Sequence, residues 1–253
     1  MEDVSVNGTA LRERHSDRIA AGLRNDILRG RYRPGERLPA ERALASRLSV
    51  NRGSIREALK KLEQLGLVEI RRGDGAHVRH LHEASVEVVR DLLATNEGLE
   101  RRVLEEVLDV HEMLLAGAAA LAVERLPDPA LARARVLVAD LAAPEMTALD
   151  FHVRVEALVE IAADATGHLV LRLFRNTFRP AILAALREIG PHFRGSSPDL
   201  GEAVRALDAA LATRSPEAAA SAVRALSRLA RGRLERALDA YEAERARRSG
   251  ADH

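Results

Sequence analysis

At 253 residues, and with roughly 100–200 residues to a domain, the chain has room for two domains. It has no cysteine, which excludes a disulfide framework, a thiol nucleophile and a cysteine-ligated zinc; with aromatics at 2% and no Trp, its core must come from Leu, Val, Ile and Ala, which favours helices over sheets. The net charge of +1 is unevenly spread: residues 1–80 hold 17 Lys and Arg against 11 Asp and Glu, the remainder 22 against 27, so the first third suits a phosphate backbone and the rest does not.

Residues 1–15 lack periodicity and read as a flexible tail. Ser16 is positioned to cap a helix that buries Ile19, Leu23 and Ile27 and ends at Gly30. Pro34 and Pro39 forbid helix in the segment that follows. A short helix is expected over Ala40 to Leu48, with Leu44 and Leu48 inward, then a turn at Ser49–Asn51. Asn51 caps the next helix, Arg52 to Leu65, whose stripe is Ile55, Ala58, Leu59 and Leu62. Beyond Gly66, two short strands flank Gly73-Asp-Gly75 and predict a β-hairpin. From about residue 82 the pattern is helical, with helices expected near 85–95, 100–126, 129–142, 145–165, 168–190, 199–213 and 216–246. Asp128-Pro129, Ser197-Pro198 and Ser215-Pro216 each offer a cap before a proline, and Pro180 is expected to kink the fifth of these helices.

The opening from Met1 to Arg14 is polar, with no secretory signal. The longest apolar run, Met113 to Val123, is well under the ~20 residues that span a bilayer. A cytoplasmic protein is expected.

Helix, short helix, turn, helix and hairpin make a winged helix-turn-helix. Arg52, Arg56 and Lys60 fall at i, i+4 and i+8, on a face distinct from the apolar stripe. A recognition helix needs one side to pack and another to offer donors, and arginine can bind guanine O6 and N7 together. Gly53 and Ser54 are small and sit at a helix start, where backbone N–H groups suit a phosphate. Arg42 precedes them, and Arg71, Arg72 and Gly73 form a tip able to enter a minor groove.

Three runs carry a family resemblance: Arg33-Pro-Gly-Glu-Arg-Leu-Pro-Ala-Glu-Arg-Ala-Leu-Ala45, Val50-Asn-Arg-Gly-Ser-Ile-Arg-Glu-Ala-Leu59 and Leu62-Glu-Gln-Leu-Gly-Leu-Val68. Over residues 18–79 the chain resembles the GntR family of transcription regulators. The resemblance implies operator binding as a dimer, with DNA contacts at Arg42, Arg52, Ser54, Arg56 and Gly73. Gly53 stands where many members carry Thr or Pro.

The remainder is similar in length and helical content to the FCD effector domain of the FadR branch. Leu149-Asp-Phe-His152 and Ala165-Thr-Gly-His-Leu169 resemble its Phe-His and Gly-Asn-Pro segment. Many such domains bind a divalent metal through an acidic residue and three histidines. Here His152 matches one ligand, but the matching positions in the last two helices read Val204 and Leu226. Neither a metal nor another cofactor is expected.

His111 and His152 each lie in an apolar stripe, where a polar ring needs a partner. Each is open to two readings: a satisfied core histidine, or a pocket residue that orients an effector. Arg172, Arg175 and Arg179 share a face that either neutralises an anionic effector or is simply solvated. Asp150 and His152 at i, i+2 point apart, and no serine elbow, phosphate loop or zinc motif is present, so an enzyme is not expected.

The expected molecule is mainly α: a tail over 1–15, a winged helix-turn-helix over 16–80, and an FCD-like bundle of about seven helices over 83–247 for effector binding and dimerisation. Its expected role is a repressor that binds a palindromic operator as a homodimer, modulated by a small metabolite such as an acyl-CoA or organic acid. The alternative is an architectural DNA-binding protein whose helical domain only dimerises.

Overall fold

Ile19, Leu23 and Ile27 recur at helical spacing, and the helix they define, α1 (Asp3–Leu28), turns all three inward. The computed structural model describes residues 3–95, 98–143, 146–193 and 198–251. Its contacts divide the chain into two units, Met1–Leu92 and Leu93–His253.

In the first unit, α1 is followed by α2 (Glu41–Arg47) and α3 (Arg52–Gln64). The hairpin follows: β1 (Val68–Arg71) pairs antiparallel with β2 (Gly75–Val78), with Val68 opposite Val78 and Arg71 opposite Gly75. The proline-flanked segment lies along the other edge of β2. There Leu38 N–H donates to Ala76 O at 2.8 Å, and Val78 N–H to Glu36 O at 2.9 Å. Leu44, Ile55, Leu62, Leu67 and Val68 are wholly buried and tie these elements into one core. Two short 3-10 turns, Leu81–Glu83 and Val86–Val88, follow the hairpin.

Three helix ends in this unit use the same device, in which one N–H reaches back three residues and the next reaches back five. At α1, Gly30 bonds Ile27 O and Arg31 bonds Asp26 O; at α2, Ser49 bonds Ser46 O and Val50 bonds Ala45 O. At α3, Gly66 bonds Glu63 O and Leu67 bonds Leu62 O. The pivot residue is left-handed each time, with φ of 70° at Gly30, 54° at Ser49 and 70° at Gly66.

The boundary falls at the last residue of α4 (Val89–Leu93), and the second unit continues with a two-stranded turn, β3 (Ala94–Thr95) with β4 (Gly98–Leu99). Then come α5 (Arg101–Val123), α6 (Asp128–Asp140), α7 (Ala148–Thr166), α8 (Leu169–Ile189), α9 (Pro198–Thr213) and α10 (Pro216–Ala251). α5 packs on α7 and α10, and α9 bridges α6 and α10. Val123, Val138, Leu141, Leu207 and Leu226 are part of the core. Arg214, left-handed at φ 53°, donates to Val123 O (3.3 Å), Leu126 O (2.7 Å) and Asp128 Oδ1 (2.8 Å). One side chain thereby satisfies carbonyls at the end of α5 and the carboxylate opening α6.

The structure corrects several expectations. No tail is seen over the described part of residues 1–15: α1 begins at Asp3, and Ser16 is a buried mid-helix residue whose Oγ accepts from Lys61 Nζ at 3.2 Å. Ala10 to Arg14 are strong helix formers with no break before Ser16, so propensity carries the helix back. Leu48 lies past the end of α2 and is exposed. Asp128 is the first residue of α6 rather than its cap, and Ser197 lies outside the described residues. Thr147 caps α7, accepting from Asp150 N–H at 3.0 Å, which starts that helix later than expected. The helix expected near 85–95 is a 3-10 turn followed by the short α4, and β3–β4 makes the second unit not purely helical.

Gly66 allows a test of the α3 ending. A Cβ there would stand 2.8 Å from Glu83 O and 3.1 Å from Ala84 Cα, in a left-handed backbone. Gly66→Ala should cost at least ~1–2 kcal/mol, read as a lower midpoint in urea denaturation of the first unit's transition.

Candidate nucleic-acid interface and buried cavity

Asn51, in extended conformation, accepts the Ser54 N–H at 2.8 Å and so fixes where α3 begins. The helix then buries Ile55, Ala58, Leu59 and Leu62, leaving Arg52, Gly53, Arg56, Glu57 and Lys60 outward. A Cβ at Gly53 would press on Asn51 Oδ1 at 3.1 Å, so glycine leaves that cap undisturbed.

The outward cations are held differently. Arg56 makes a two-point pair with Glu41 of α2, at 3.2 and 2.9 Å. That hydrogen bond holds the Glu41 carboxyl below the usual range. Lys60 pairs with Glu57 at 3.0 Å. Arg52 and Arg42 are exposed and carry no hydrogen bond or ion pair among the described residues. At the hairpin tip Arg71 is bound to Glu69 at 2.8 Å, while Arg72 is exposed beside Gly73, whose φ of 82° makes the turn. Asp74 closes the tip by accepting from His77 at 2.9 Å. Exposed pairs of this kind contribute roughly 0–1 kcal/mol, so a phosphate or base edge can replace the carboxylate.

Ser54 is not on this face. Its side chain is buried, its Oγ has no hydrogen-bond partner among the described residues and its N–H is spent on Asn51, so the expectation of a DNA contact there is withdrawn. Its period placed it beside Ile55 on the packed side.

In the second unit, residues of α5 to α10 line a partly open cavity of about 190 Å³. Its wall is largely aliphatic, with Phe151 and Phe193; His111, Glu112, His152, Ser227 and Arg231 are its polar members. The two imidazoles stand 6.4 Å apart between ring centres. Both are pushed down to about 4, chiefly by burial; His152 adds to the effect on His111, and Arg179 and Arg175 add to that on His152. His152 Nε2 is buried with no hydrogen-bond partner among the described residues, 3.8 Å from Glu156 Oε1. Glu156, buried one turn further along α7, accepts from Arg175 Nε at 2.8 Å and lies 3.4 Å from Arg179 Nε. Arg175 also reaches Glu160 at 2.9 Å.

The arginine face expected on α8 is therefore divided. Arg175 and Arg179 turn to Glu156 and border a recess of about 20 Å³ behind His111, while Arg172 pairs with Asp164 at the surface. Neither Arg172 nor Arg179 lines the larger cavity, so neither is placed to bind an effector there. Sequence reading missed Glu156, although it follows His152 at i+4 and shares its stripe. It also missed Ser227 and Arg231 on α10; Arg231 is tied to Asp109 of α5 at 2.5 Å. At the positions resembling metal ligands, Val204 and Leu226 are buried hydrocarbon in the core, which offers a metal no donor.

A helix-turn-helix with a two-stranded wing, its third helix presenting cations, defines a DNA-binding transcription regulator. The family model for bacterial regulatory proteins of the gntR family matches residues 15–78. The HTH-type transcriptional regulator Mce2R of Mycobacterium tuberculosis is 37% identical over 175 residues, covering 65% of this chain and 70% of that one. LutR of Bacillus subtilis, also a transcriptional regulator, is 28% identical over 165 residues, covering 64% and 73%. A solved structure described as Lar, which controls the Listeria monocytogenes agr system, shares the fold at 14% identity and TM-score 0.50, covering 87% of this chain and 96% of that one. The chain belongs to the GntR family. It is a DNA-binding regulator and not an enzyme. Among the described residues, no helix is long and apolar enough to cross a membrane.

The two histidines predict a pH dependence. Their ordinary value is 6.5 and their folded value about 4, so between these the unfolded chain takes up protons that the folded chain refuses. Stability is complete above about 6.5 and is lost as pH falls towards 4. Going from about pH 7 to 5 should cost on the order of 1–2 kcal/mol per ring. Thermal melts across that range should show it, and replacing both histidines by Leu should flatten the trend.

Proposed function

We propose that this protein is a ligand-responsive repressor of the FadR branch, with an FCD-type effector domain, acting in the cytoplasm on a palindromic operator as a homodimer. Residues 16–80 read DNA and residues 83–247 bind the effector and dimerise. The observation that carries the reading is the division of α3 between a buried apolar side and an outward face bearing Arg52, Arg56 and Lys60. Arg42 and Gly53 flank that face, and Arg72 and Gly73 provide the wing contact. Two half-sites related by a dyad require two such helices, which is why a dimer is proposed.

The cavity beside His111 and His152 is the proposed effector site. A small metabolite there acts only as far as it binds the DNA-competent and DNA-incompetent states unequally. This partly open apolar space favours a sensor over a purely architectural DNA-binding protein, which needs no such void.

Arg52→Ala should weaken binding to a duplex selected from a randomised pool by about 1–3 kcal/mol and relax preference at one base position. Quantitative footprinting reads both. Unchanged specific affinity would remove α3 from the interface.

A further inference from the structure

We infer that the effector cavity takes an uncharged, mainly apolar molecule about the size of a benzene ring with a short substituent, carrying one hydroxyl or similar group that hydrogen-bonds a cavity imidazole. The inference rests on the reading of the second unit as a sensor and names the chemistry of that site.

Size comes first. An apolar cavity near 150 Å³ holds benzene, and this one measures about 190 Å³.

Charge comes next. An anion buried among aliphatic walls needs a cation that is not already committed. Among the described residues the wall has one cation, Arg231, which is held by Asp109, and it has an anion of its own in Glu112. Behind the histidines, two guanidiniums, Arg175 and Arg179, face two carboxylates, Glu156 and Glu160, and the four charges cancel. From the remaining sides, α6 and α9 contribute only hydrocarbon, such as Val138, Leu141 and Leu207. Among the described residues, a carboxylate entering this space meets no net positive charge, whereas a neutral molecule leaves every existing pair intact.

The hydrogen-bonding group follows from His152. Its ring and that of His111 both line the cavity; His152 is 5% exposed, and its Nε2, 3.8 Å from Glu156 Oε1, has no hydrogen-bond partner among the described residues. A buried polar ring without a full set of bonds is costly, and a ligand hydroxyl that engages either imidazole recovers part of that cost.

The test is calorimetry on the full chain at near-neutral pH with phenylethanol, phenylacetate and ethylbenzene, which share a skeleton and differ in one group. Running it in two buffers of unlike protonation enthalpy reports proton exchange. The expected order is phenylethanol tightest, by roughly tenfold over phenylacetate, with no proton taken up. His152→Leu should cost phenylethanol about tenfold while leaving ethylbenzene unchanged, which also shows that the variant is folded. Phenylacetate binding as tightly as the alcohol, with proton uptake, overturns the uncharged assignment but leaves the cavity a sensor site. Ethylbenzene binding as tightly as the alcohol overturns the hydrogen bond. Failure of all three probes overturns the cavity as a ligand site, and the sensor reading falls with it.

Discussion

The packed side of α3 is the constraint from which the DNA-binding unit follows. Ile55 and Leu62 are 0% exposed, and between them Ala58 and Leu59 complete a strip that meets α1 and the hairpin. Burying such side chains contributes about 1.5–3 kcal/mol each, so the helix cannot rotate about its axis without exposing them. With rotation fixed by hydrocarbon, the direction of Arg52, Arg56 and Lys60 is fixed as well. The Asn51 cap and the Gly66 ending set where the helix starts and stops. Neither a cap nor a charge could do this alone; packing supplies the rigidity and the polar groups supply the chemistry.

The second unit follows a different logic. Its helices are rich in alanine, and small side chains facing one another leave space that larger ones would fill. α5, α7 and α10 accordingly meet around a void instead of closing completely. The polar groups near it have been made electrically quiet: Glu156 is matched by two guanidiniums, Arg231 by Asp109, and the histidines by burial itself. Among these, Glu156 with Arg175 is the buried pair, and such a pair is a weak contributor to stability whose loss of one partner is expensive. That asymmetry makes the arrangement self-consistent only when complete.

Much of this was legible in the sequence. The stripe of α3, the Asn51 cap, the glycine pivots and the hairpin follow from period and turn chemistry, because those signals are local. What failed was what depends on neighbours. Leu48 has helical spacing but caps the end of α2 just before a left-handed Ser49, which no propensity predicts. Ser54 looked like a donor because it is polar at a helix start, yet the rotation set by Ile55 carries it inward. Arg172, Arg175 and Arg179 share a face in projection, but partners on α7 separate them. Glu156 was overlooked because a lone carboxylate in a helix usually faces solvent.

The pairing of Arg56 with Glu41 and of Lys60 with Glu57 has a thermodynamic consequence. A cation that moves from an intramolecular carboxylate to a phosphate leaves that carboxylate behind to collect sodium or potassium from solution. Part of the entropy gained when ions leave the duplex is returned at the protein surface. The slope of log affinity against log salt then falls short of the ~0.9 per phosphate contact expected for bare cations. Such a protein would hold its operator with less sensitivity to osmotic upshift than its arginine content suggests.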